Sequence, residues 1–293
     1  MKTIQTPTLS DYFGLILLSA IWGSAFIATE MAVKNLPPLY IAFGRIFLAS
    51  IFLYGIIHLK KLSFPRDKKT WVYLIFIGIL NNSMPFYLIT WGQQYISSST
   101  ASIMLAIGPF IALLLSHYIT HDEKFTVLKL IGVIIGFMGV FILLGDEFLN
   151  QRHDEFYGEI AMIFATIGYI SAGLLLRKVS YLPTLVCSAS MFITASISMI
   201  PFILYLPFQD IQFHTSSLLP VLYLAIVPTA AASLIRIRLV QKVGVQFMSQ
   251  VAYLIPIFAI IWSWIFFDTL PKQAAWIALV LVLLGLFIRK LKR

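Results

Sequence analysis

Ten long apolar runs follow one another along the chain, separated by short polar connections. They cover residues 12–33, 39–59, 71–91, 98–119, 126–144, 157–177, 183–206, 217–240, 246–267 and 273–290. A helix needs about 20 apolar residues to cross the roughly 30 Å of hydrocarbon in a bilayer. The runs lack the alternation of apolar and polar positions that is typical of outer-membrane barrels. The pattern therefore predicts an all-α membrane protein with ten transmembrane helices.

Composition supports this prediction and narrows the function. Of the residues, 60% are hydrophobic and 11% are charged, whereas soluble domains carry about 25% charged residues. The short connections leave no room for a soluble catalytic domain. An intramembrane enzyme would need a buried nucleophile with a base, or a metal cluster, and the single cysteine, Cys187, has no accompanying histidine. We therefore expect a protein without enzymatic activity or cofactor.

One polar group near the end of the fourth run could bind a metal ion. It contains His117, His121, Asp122 and Glu123. The alternative interpretation is the polar cytoplasmic end of a helix, which we favour, and we predict no metal site.

The positive charges alternate from one connection to the next. With the N-terminus inside, only Lys34, Arg152 and Lys272 fall on the outer side, and Arg45 lies within the second run. The other basic residues fall on the inner side, as the positive-inside rule requires of cytoplasmic loops. We therefore expect a multi-pass protein of the inner (plasma) membrane with both termini cytoplasmic. The net charge of +9 is then a topology signal, and we expect no nucleic-acid partner.

The two halves of the chain share features at a nearly constant spacing. Pro109 and Pro256 are 147 residues apart, and Gly139 and Gly285 are 146 apart. This spacing predicts two five-helix repeats, 1–145 and 146–293. Because five is odd, the second repeat enters the membrane in the opposite direction. Inverted repeats around a central cavity are typical of secondary transporters.

A polar stretch interrupts the third run, where the sequence reads NNSMPFY from Asn81. At 100° per residue, seven side chains form one arc of a helix. They are Asn82, Ser83, Phe86, Tyr87, Thr90, Gln93 and Gln94. Pro85 lacks an N–H group and makes the backbone irregular, which is tolerated at membrane depth only inside protein or beside a wet cavity. We interpret the arc as the wall of a central cavity; the alternative is that these groups hold neighbouring helices together by hydrogen bonds.

Other runs offer candidates for the same cavity. The predicted substrate-binding residues are Trp22, Asn82, Ser83, Tyr87, Thr90, Trp91, Ser102, Tyr169, Gln250 and Tyr253. Trp91 has a second interpretation, as part of the aromatic belt at the membrane interface. Pro109 and Pro256 each free a carbonyl one turn back, and paired broken helices indicate a transporter site. We therefore assign both prolines to gating.

Ion coupling would require an ionisable group deep in the bundle. Glu30 lies in the first run and Arg45 in the second, so the two could pair. The pair could be a structural anchor, or it could couple transport to protons. Facilitated diffusion and proton antiport therefore both remain open.

Several motifs give the chain a family resemblance. They include WGS from Trp22, LPP from Leu36, FGRIFLA from Phe43, HDE ending at Glu123, and AYLIPIFAIIWSWIFFD from Ala252. With these motifs the chain resembles the EamA-type branch of the drug/metabolite transporter superfamily. The resemblance implies ten helices in two repeats and a cavity lined by helices 1, 3, 4, 6, 8 and 9, with helices 5 and 10 mainly structural. It also implies export of amino acids, other metabolites or drugs. The chain departs from the family pattern at Asp268 and Ala278.

The expected partners are a small-molecule substrate, the lipid bilayer and, if transport is coupled, protons. The predicted mixture of amide, hydroxyl and aromatic groups suits a small amphipathic solute such as an amino acid. A phosphorylated or nucleotide-derived solute is the less favoured alternative, because it would need several Lys or Arg residues in the cavity. We expect only Arg45 to be buried and place Arg236 and Arg238 at the cytoplasmic mouth. A non-transporting membrane protein is the alternative from a different class. The sequence leaves the oligomeric state open.

Overall fold

The computed structural model describes residues 4–96, 98–149, 155–205, 215–267 and 273–288, and the regular secondary structure in these ranges is helical. The helices are α1 (Leu9–Val33), α2 (Pro38–Leu59), α3 (Lys68–Gly92), α4 (Ser98–Leu105), α5 (Gly108–Ile119), α6 (Val127–Leu149), α7 (Glu155–Lys178), α8 (Thr184–Tyr205), α9 (215–243), α10 (Val245–Met248), α11 (Val251–Phe267) and α12 (Gln273–Ile288). Among the described residues, seven helical segments are long and apolar enough to cross a membrane. The chain is therefore a multi-span membrane protein.

Most predicted runs correspond to one helix each, but the fourth and ninth are each divided in two. The break between α4 and α5 falls at residues 106 and 107. Pro109 lies in the first turn of α5, where N–H groups have no acceptor within the helix, so the missing N–H group of proline costs no hydrogen bond. The break between α10 and α11 falls at Ser249 and Gln250, whereas Pro256 lies within α11. The prediction that the two prolines break equivalent helices is therefore wrong for Pro256.

Two helices each contain a wider π-helical turn. In α3 it covers Ile79–Ser83 and in α9 it covers Ala225–Ala231. Because Pro85 has no N–H group for the carbonyl of Asn81, the hydrogen-bond ladder shifts and the N–H of Met84 donates to the carbonyl of Ile79. The starts of the two turns differ by 146 positions in the chain, which is the spacing of the sequence repeat.

The helices pack in pairs that correspond when the two halves are exchanged. The pairs α2–α8 and α6–α12 each join equivalent helices. The pair α3–α7 corresponds to α9–α1, and the packing of α4 and α5 on α7 corresponds to that of α11 on α1. The predicted boundary between residues 145 and 146 falls near the end of α6 and stays a prediction.

Small residues allow the closest helix contacts. A Cβ atom built at Gly285 of α12 would lie 2.5 Å from the carbonyl oxygen of Gly132 in α6. Only glycine permits this approach, and such contacts are typical of helix pairs in membranes. The close packing of α12 therefore depends on Gly285, although Ala278 replaces a glycine of the family pattern.

Candidate functional site

A cavity lies between the two halves of the chain and encloses about 850 Å³, part of it open to solvent. Helices from both halves line it, including α1, α2, α3, α7, α9 and the breaks that divide α4 from α5 and α10 from α11. The resemblance implied most of these elements but not α2, which contributes Arg45. Among the described residues that line the cavity there is no Asp or Glu.

An aromatic wall forms one side of the cavity. The Trp22 ring stacks on Tyr169 with centroids 6.5 Å apart, and Phe86 meets Tyr169 edge-on at the same separation. The Trp22 Nε1–H donates to the carbonyl oxygen of Pro228 at 3.0 Å. That oxygen is available because the N–H of Ala232 donates to Val227 and Thr229 in the π-helical turn instead. The irregular backbone of α9 thus fixes the orientation of Trp22.

Two buried arginines line the cavity. Arg45 is 5% exposed, donates through Nε to Thr229 Oγ1 at 3.0 Å, and places its guanidinium carbon 3.9 Å from the centre of the Phe86 ring. Arg236 is 4% exposed and donates through Nη2 to the carbonyl oxygen of Tyr169 at 3.0 Å. The prediction that only Arg45 is buried is wrong, because Arg236 is buried as well and lines the cavity from α9.

The predicted arc on α3 divides between two environments. Phe86 and Gln93 line the cavity, whereas the other arc members are absent from its lining. The hydroxyl group of Ser83 donates to the carbonyl oxygen of Ala195 in α8 at 3.1 Å. Ser83 therefore follows the alternative interpretation, in which polar groups hold neighbouring helices together by hydrogen bonds. The helical wheel fails for Asn82 and Ser83 because they lie in the π-helical turn, whose extra residue rotates the helix faces before and after it. After the turn, the cavity is lined by Phe86, Ile89 and Gln93, a face that is rotated away from Tyr87 and Thr90.

The remaining members of the arc make local contacts. Asn82 accepts a hydrogen bond from Asn81 at 2.9 Å and is buried. Thr90 donates to the carbonyl oxygen of Phe86 at 2.7 Å, and Tyr87 is partly exposed. The expectation that Asn82, Tyr87 and Thr90 line the cavity is therefore corrected.

Of the other predicted substrate-binding residues, Trp22 and Tyr169 line the cavity and four do not. Trp91 packs edge-on against Tyr95, and Ser102 is buried within α4. The Gln250 amide donates to the carbonyl oxygen of Gln246, and the Tyr253 hydroxyl donates to that of Val133 in α6. In their place Ser249 and Ala252 line the cavity.

The predicted gating residues also take different positions. Pro109 and Pro256 do not line the cavity, but their neighbours Gly108 and Ile255 do. Arg45 does line it. Glu30 is exposed and accepts a hydrogen bond from Ser98 Oγ at 2.6 Å. The expected pairing of Glu30 with Arg45 is not formed, because the Arg45 guanidinium turns inward to Thr229 and Phe86.

The position of Glu30 leads to a prediction about coupling. The substitution Glu30→Gln keeps a side chain that can accept the hydrogen bond from Ser98. It removes a negative charge that is exposed to solvent and not buried in the cavity. We expect it to leave both the rate of transport and its pH dependence unchanged, measured as solute flux into proteoliposomes from pH 5 to 8. Loss of the pH dependence alone would identify Glu30 as the coupling acid.

A polar network lies beside the cytoplasmic end that the charge pattern predicts; we call it the latch, and it consists of Asp122, Glu123, Arg177 and Gln246. Arg177 pairs with Asp122, and with Glu123 at 3.0 Å. Glu123 is 1% exposed and accepts hydrogen bonds from the backbone N–H groups of Val245 and Gln246 at 3.2 and 2.8 Å. The latch therefore joins the connection after α5 to the end of α7 and the start of α10.

The backbone and the charges of the latch fit each other closely. Gly244 has a φ of +90°, and a Cβ atom there would lie 2.5 Å from Glu123 Oε1, so only glycine fits.

Burial raises the pKa of Glu123, although Gln246, Arg177 and Val245 act in the opposite direction. Burial also disfavours ionisation of Asp122, but Arg177 and backbone N–H groups, including that of Ile4, together outweigh it and lower the pKa of Asp122. The sequence placed these acids at a helix end but gave no sign of Arg177 as their partner.

Comparison with known proteins identifies the family. The sequence pattern of the EamA-like transporter family matches residues 9–145 and again 156–289. The uncharacterized transporter YoaV of Bacillus subtilis is 24% identical over 156 residues, which are 53% of each chain. The S-adenosylmethionine/S-adenosylhomocysteine transporter of Chlamydia muridarum is 28% identical over 169 residues, 56% of this chain and 53% of the relative. The chain thus matches about half the length of these relatives.

A protein of known crystal structure has the same fold over nearly all of the chain. The TM-score is 0.78 at 18% sequence identity, with 98% of this chain and 100% of the other covered. The tandem match of the sequence covers almost all of the helices described above. The chain therefore belongs to the EamA-like transporter family.

Proposed function

We propose that the protein is a secondary transporter that exports small organic solutes from the cytoplasm by alternating access. The observation that carries the proposal is the cavity, which residues from both halves of the chain line at the level of the helix breaks. A site between two halves can open to either side of a membrane when the halves rock against each other. The family supports transport as the activity.

The proposal includes an inverted arrangement of the halves. The correspondence of helix pairs α3–α7 and α9–α1 supports a two-fold relation between the halves. Five spans in each half would invert the second one, and the distribution of Lys and Arg favours cytoplasmic termini and the inner membrane. The latch would then hold the cytoplasmic side of the cavity closed.

The substrate class in this proposal is a small amphipathic metabolite. The aromatic wall of Trp22, Phe86 and Tyr169 supplies apolar surface, and Gln93, Thr166 and Ser249 supply polar groups. The relative from Chlamydia muridarum is named as an S-adenosylmethionine/S-adenosylhomocysteine transporter. The burial of Arg236 favours an anionic solute, so the phosphorylated or nucleotide-derived alternative has more support than the sequence gave it.

Transport by the purified protein in proteoliposomes tests the proposal. A panel of labelled amino acids, organic acids, amines and nucleotides would be offered, and at least one should enter faster than into empty liposomes. If no solute of the panel enters faster, the proposal of transport fails.

A matched pair of tryptophans tests whether the cavity is the transport site. Trp22→Phe removes the indole that stacks on Tyr169 and donates to Pro228, so we expect at least a tenfold fall in flux. Trp71 also donates its Nε1–H to a proline carbonyl, that of Pro65 at 2.8 Å, but it does not line the cavity. Trp71→Phe should therefore retain the flux, and equal losses in both variants would place transport elsewhere.

A further inference from the structure

The cavity contains two positive charges and, among the residues that the structure describes, no negative one to balance them. Neither Arg45 nor Arg236 pairs with a carboxylate in the described part of the chain. A buried charge without a partner is strongly unfavourable in the low-dielectric interior of a membrane protein. An ionisable residue retained there points to a function that uses its charge.

The hydrogen bonds of Arg236 leave one side of its guanidinium unused. Its Nη2 donates to the carbonyl oxygen of Tyr169, whereas its Nη1 is buried and has no hydrogen-bond partner. Arg45 stacks on Phe86 and donates through Nε to Thr229, so the ring and the hydroxyl group hold it in place. The planar guanidinium matches the two oxygens of a carboxylate. The cavity therefore offers a fixed donor site for an anionic oxygen.

Gln93, another residue of the cavity lining, also has an unpartnered atom. The Gln93 amide nitrogen donates to Ser98 Oγ at 2.9 Å and to the carbonyl oxygen of Phe26 at 3.3 Å. Because a carbonyl oxygen can only accept, this orientation of the amide is fixed. It leaves Gln93 Oε1 buried without a donor. A solute with a neutral hydroxyl or amide N–H group at a distance from its anionic group would satisfy both atoms.

We propose that the cavity selects organic acids, with the carboxylate bound by Arg236 beside Arg45 and an apolar body against Trp22, Phe86 and Tyr169. This inference rests on the proposed function, because it names the substrate class of the same cavity. Solutes of net positive charge are excluded, since they would meet two guanidinium groups and no acid.

Four probes with the same ring test the selectivity: phenylacetate, phenylacetamide, phenethylamine and phenyl phosphate. Their binding to the purified protein would be measured from the rise in its thermal unfolding temperature with probe concentration. We expect phenylacetate to bind about tenfold or more tightly than its neutral amide, and phenethylamine not to bind. Equal stabilisation by the amide or the amine, or no response to phenylacetate, would overturn the inference. A stronger response to phenyl phosphate would overturn the choice of carboxylate.

Two arginines of α9 provide the matched variants. Arg236→Gln should weaken phenylacetate binding at least tenfold and abolish the preference over phenylacetamide. Arg238→Gln removes the same charge from an exposed position on the same helix and should leave binding unchanged. If Arg236→Gln does not fold, Arg236→Lys keeps the charge and loses the planar fork, and binding should still fall while the preference for the anion persists. Unchanged binding in a folded Arg236 variant would contradict the role of this residue.

The binding measurement separates this inference from the proposed function. If phenylacetate binds through Arg236 but no solute enters proteoliposomes, the anion site stands and transport fails. If solutes are transported but the anionic probes do not bind, transport stands and the inference about substrate class fails.

Discussion

Replacing Gly78 with alanine is expected to destabilise the protein by about 1–3 kcal/mol, because it forces α3 away from α8. A Cβ atom at this position would lie 2.2 Å from Thr194 Oγ1 and 2.7 Å from the carbonyl oxygen of Met191. The hydroxyl group of Thr194 can rotate, but it would then lose its 3.1 Å hydrogen bond to Leu74. The carbonyl oxygen of Met191 belongs to the backbone of α8 and moves only with the helix. The unfolding temperature in detergent, followed by tryptophan fluorescence, measures the effect.

Gly55 in α2 provides the control for this substitution. A Cβ atom there would have no neighbouring atom within 4 Å. Gly55→Ala should be neutral or slightly stabilising, because alanine favours the helix by up to about 1 kcal/mol. An equal response of the two variants would mean that α3 and α8 are not in the close contact described here.

The contact at Gly78 has consequences for the cavity. Gly78 directly precedes the π-helical turn of α3, and Ser83 within that turn bonds to Ala195 in α8. The helix after the turn carries Phe86, which supports Arg45. A displacement of α3 from α8 would therefore disturb the cavity wall as well as the stability, and Gly78→Ala should also lower solute flux.

The helices were predictable because the bilayer imposes a length. The predicted runs 39–59 and 157–177 differ by at most two residues at each end from Pro38–Leu59 and Glu155–Lys178. A membrane helix must be apolar over about 20 residues, so its sequence reports its extent directly. The break after α10 was missed because Ser249 and Gln250 are no stronger helix breakers than many residues inside helices.

The lining of the cavity was less predictable because it depends on helix rotation. The extra residue of the π-helical turn moved Asn82 off the face that Phe86 and Gln93 present, whereas Tyr87 lies about 100° around the same helix from Phe86. Tyr253 was expected at the cavity because it is polar and deep, but it is satisfied by the backbone of α6. The sequence gives the polarity of a side chain, whereas the neighbouring helix decides which groups satisfy it.

Replacing Glu123 with glutamine is expected to open the latch. The substitution replaces one of the two oxygens that accept the N–H groups of Val245 and Gln246 with an NH2 group, which can only donate. A buried N–H group left without its acceptor costs about 1–3 kcal/mol, which corresponds to a population change on the order of tenfold or more. A protonated carboxyl group keeps both oxygens, so protonation of Glu123 does not have this effect. The single cysteine, Cys187, is buried in α8, so its labelling rate with N-ethylmaleimide reports the opening. We expect that rate to rise strongly in the Glu123→Gln variant.

Asp67→Asn is the matched control for the loss of a carboxylate from the predicted cytoplasmic side. Asp67 caps α3 by accepting the N–H of Thr70 at 2.8 Å and makes no contact with the latch. The Asn oxygen can still accept the N–H of Thr70, so the variant should unfold at nearly the wild-type temperature, with no change in the labelling of Cys187. An equal increase in labelling in both variants would show that general loosening, and not the latch, exposes the cysteine.

The raised pKa of Glu123 predicts how pH acts on the latch. In the closed latch, burial raises the pKa above the ordinary 4.5, whereas in an open latch water would restore that value. The closed state therefore binds a proton more tightly, so acidification through the range above 4.5 favours closure and rising pH favours opening. The lowered pKa of Asp122 keeps its titration below this range. The labelling rate of wild-type Cys187 divided by that of the Glu123→Gln variant should fall as the pH falls towards 5. The reactivity of the thiol and the charges of His117 and His121 are common to both proteins and cancel in the ratio, so a constant or rising ratio would contradict a role for Glu123 in closure.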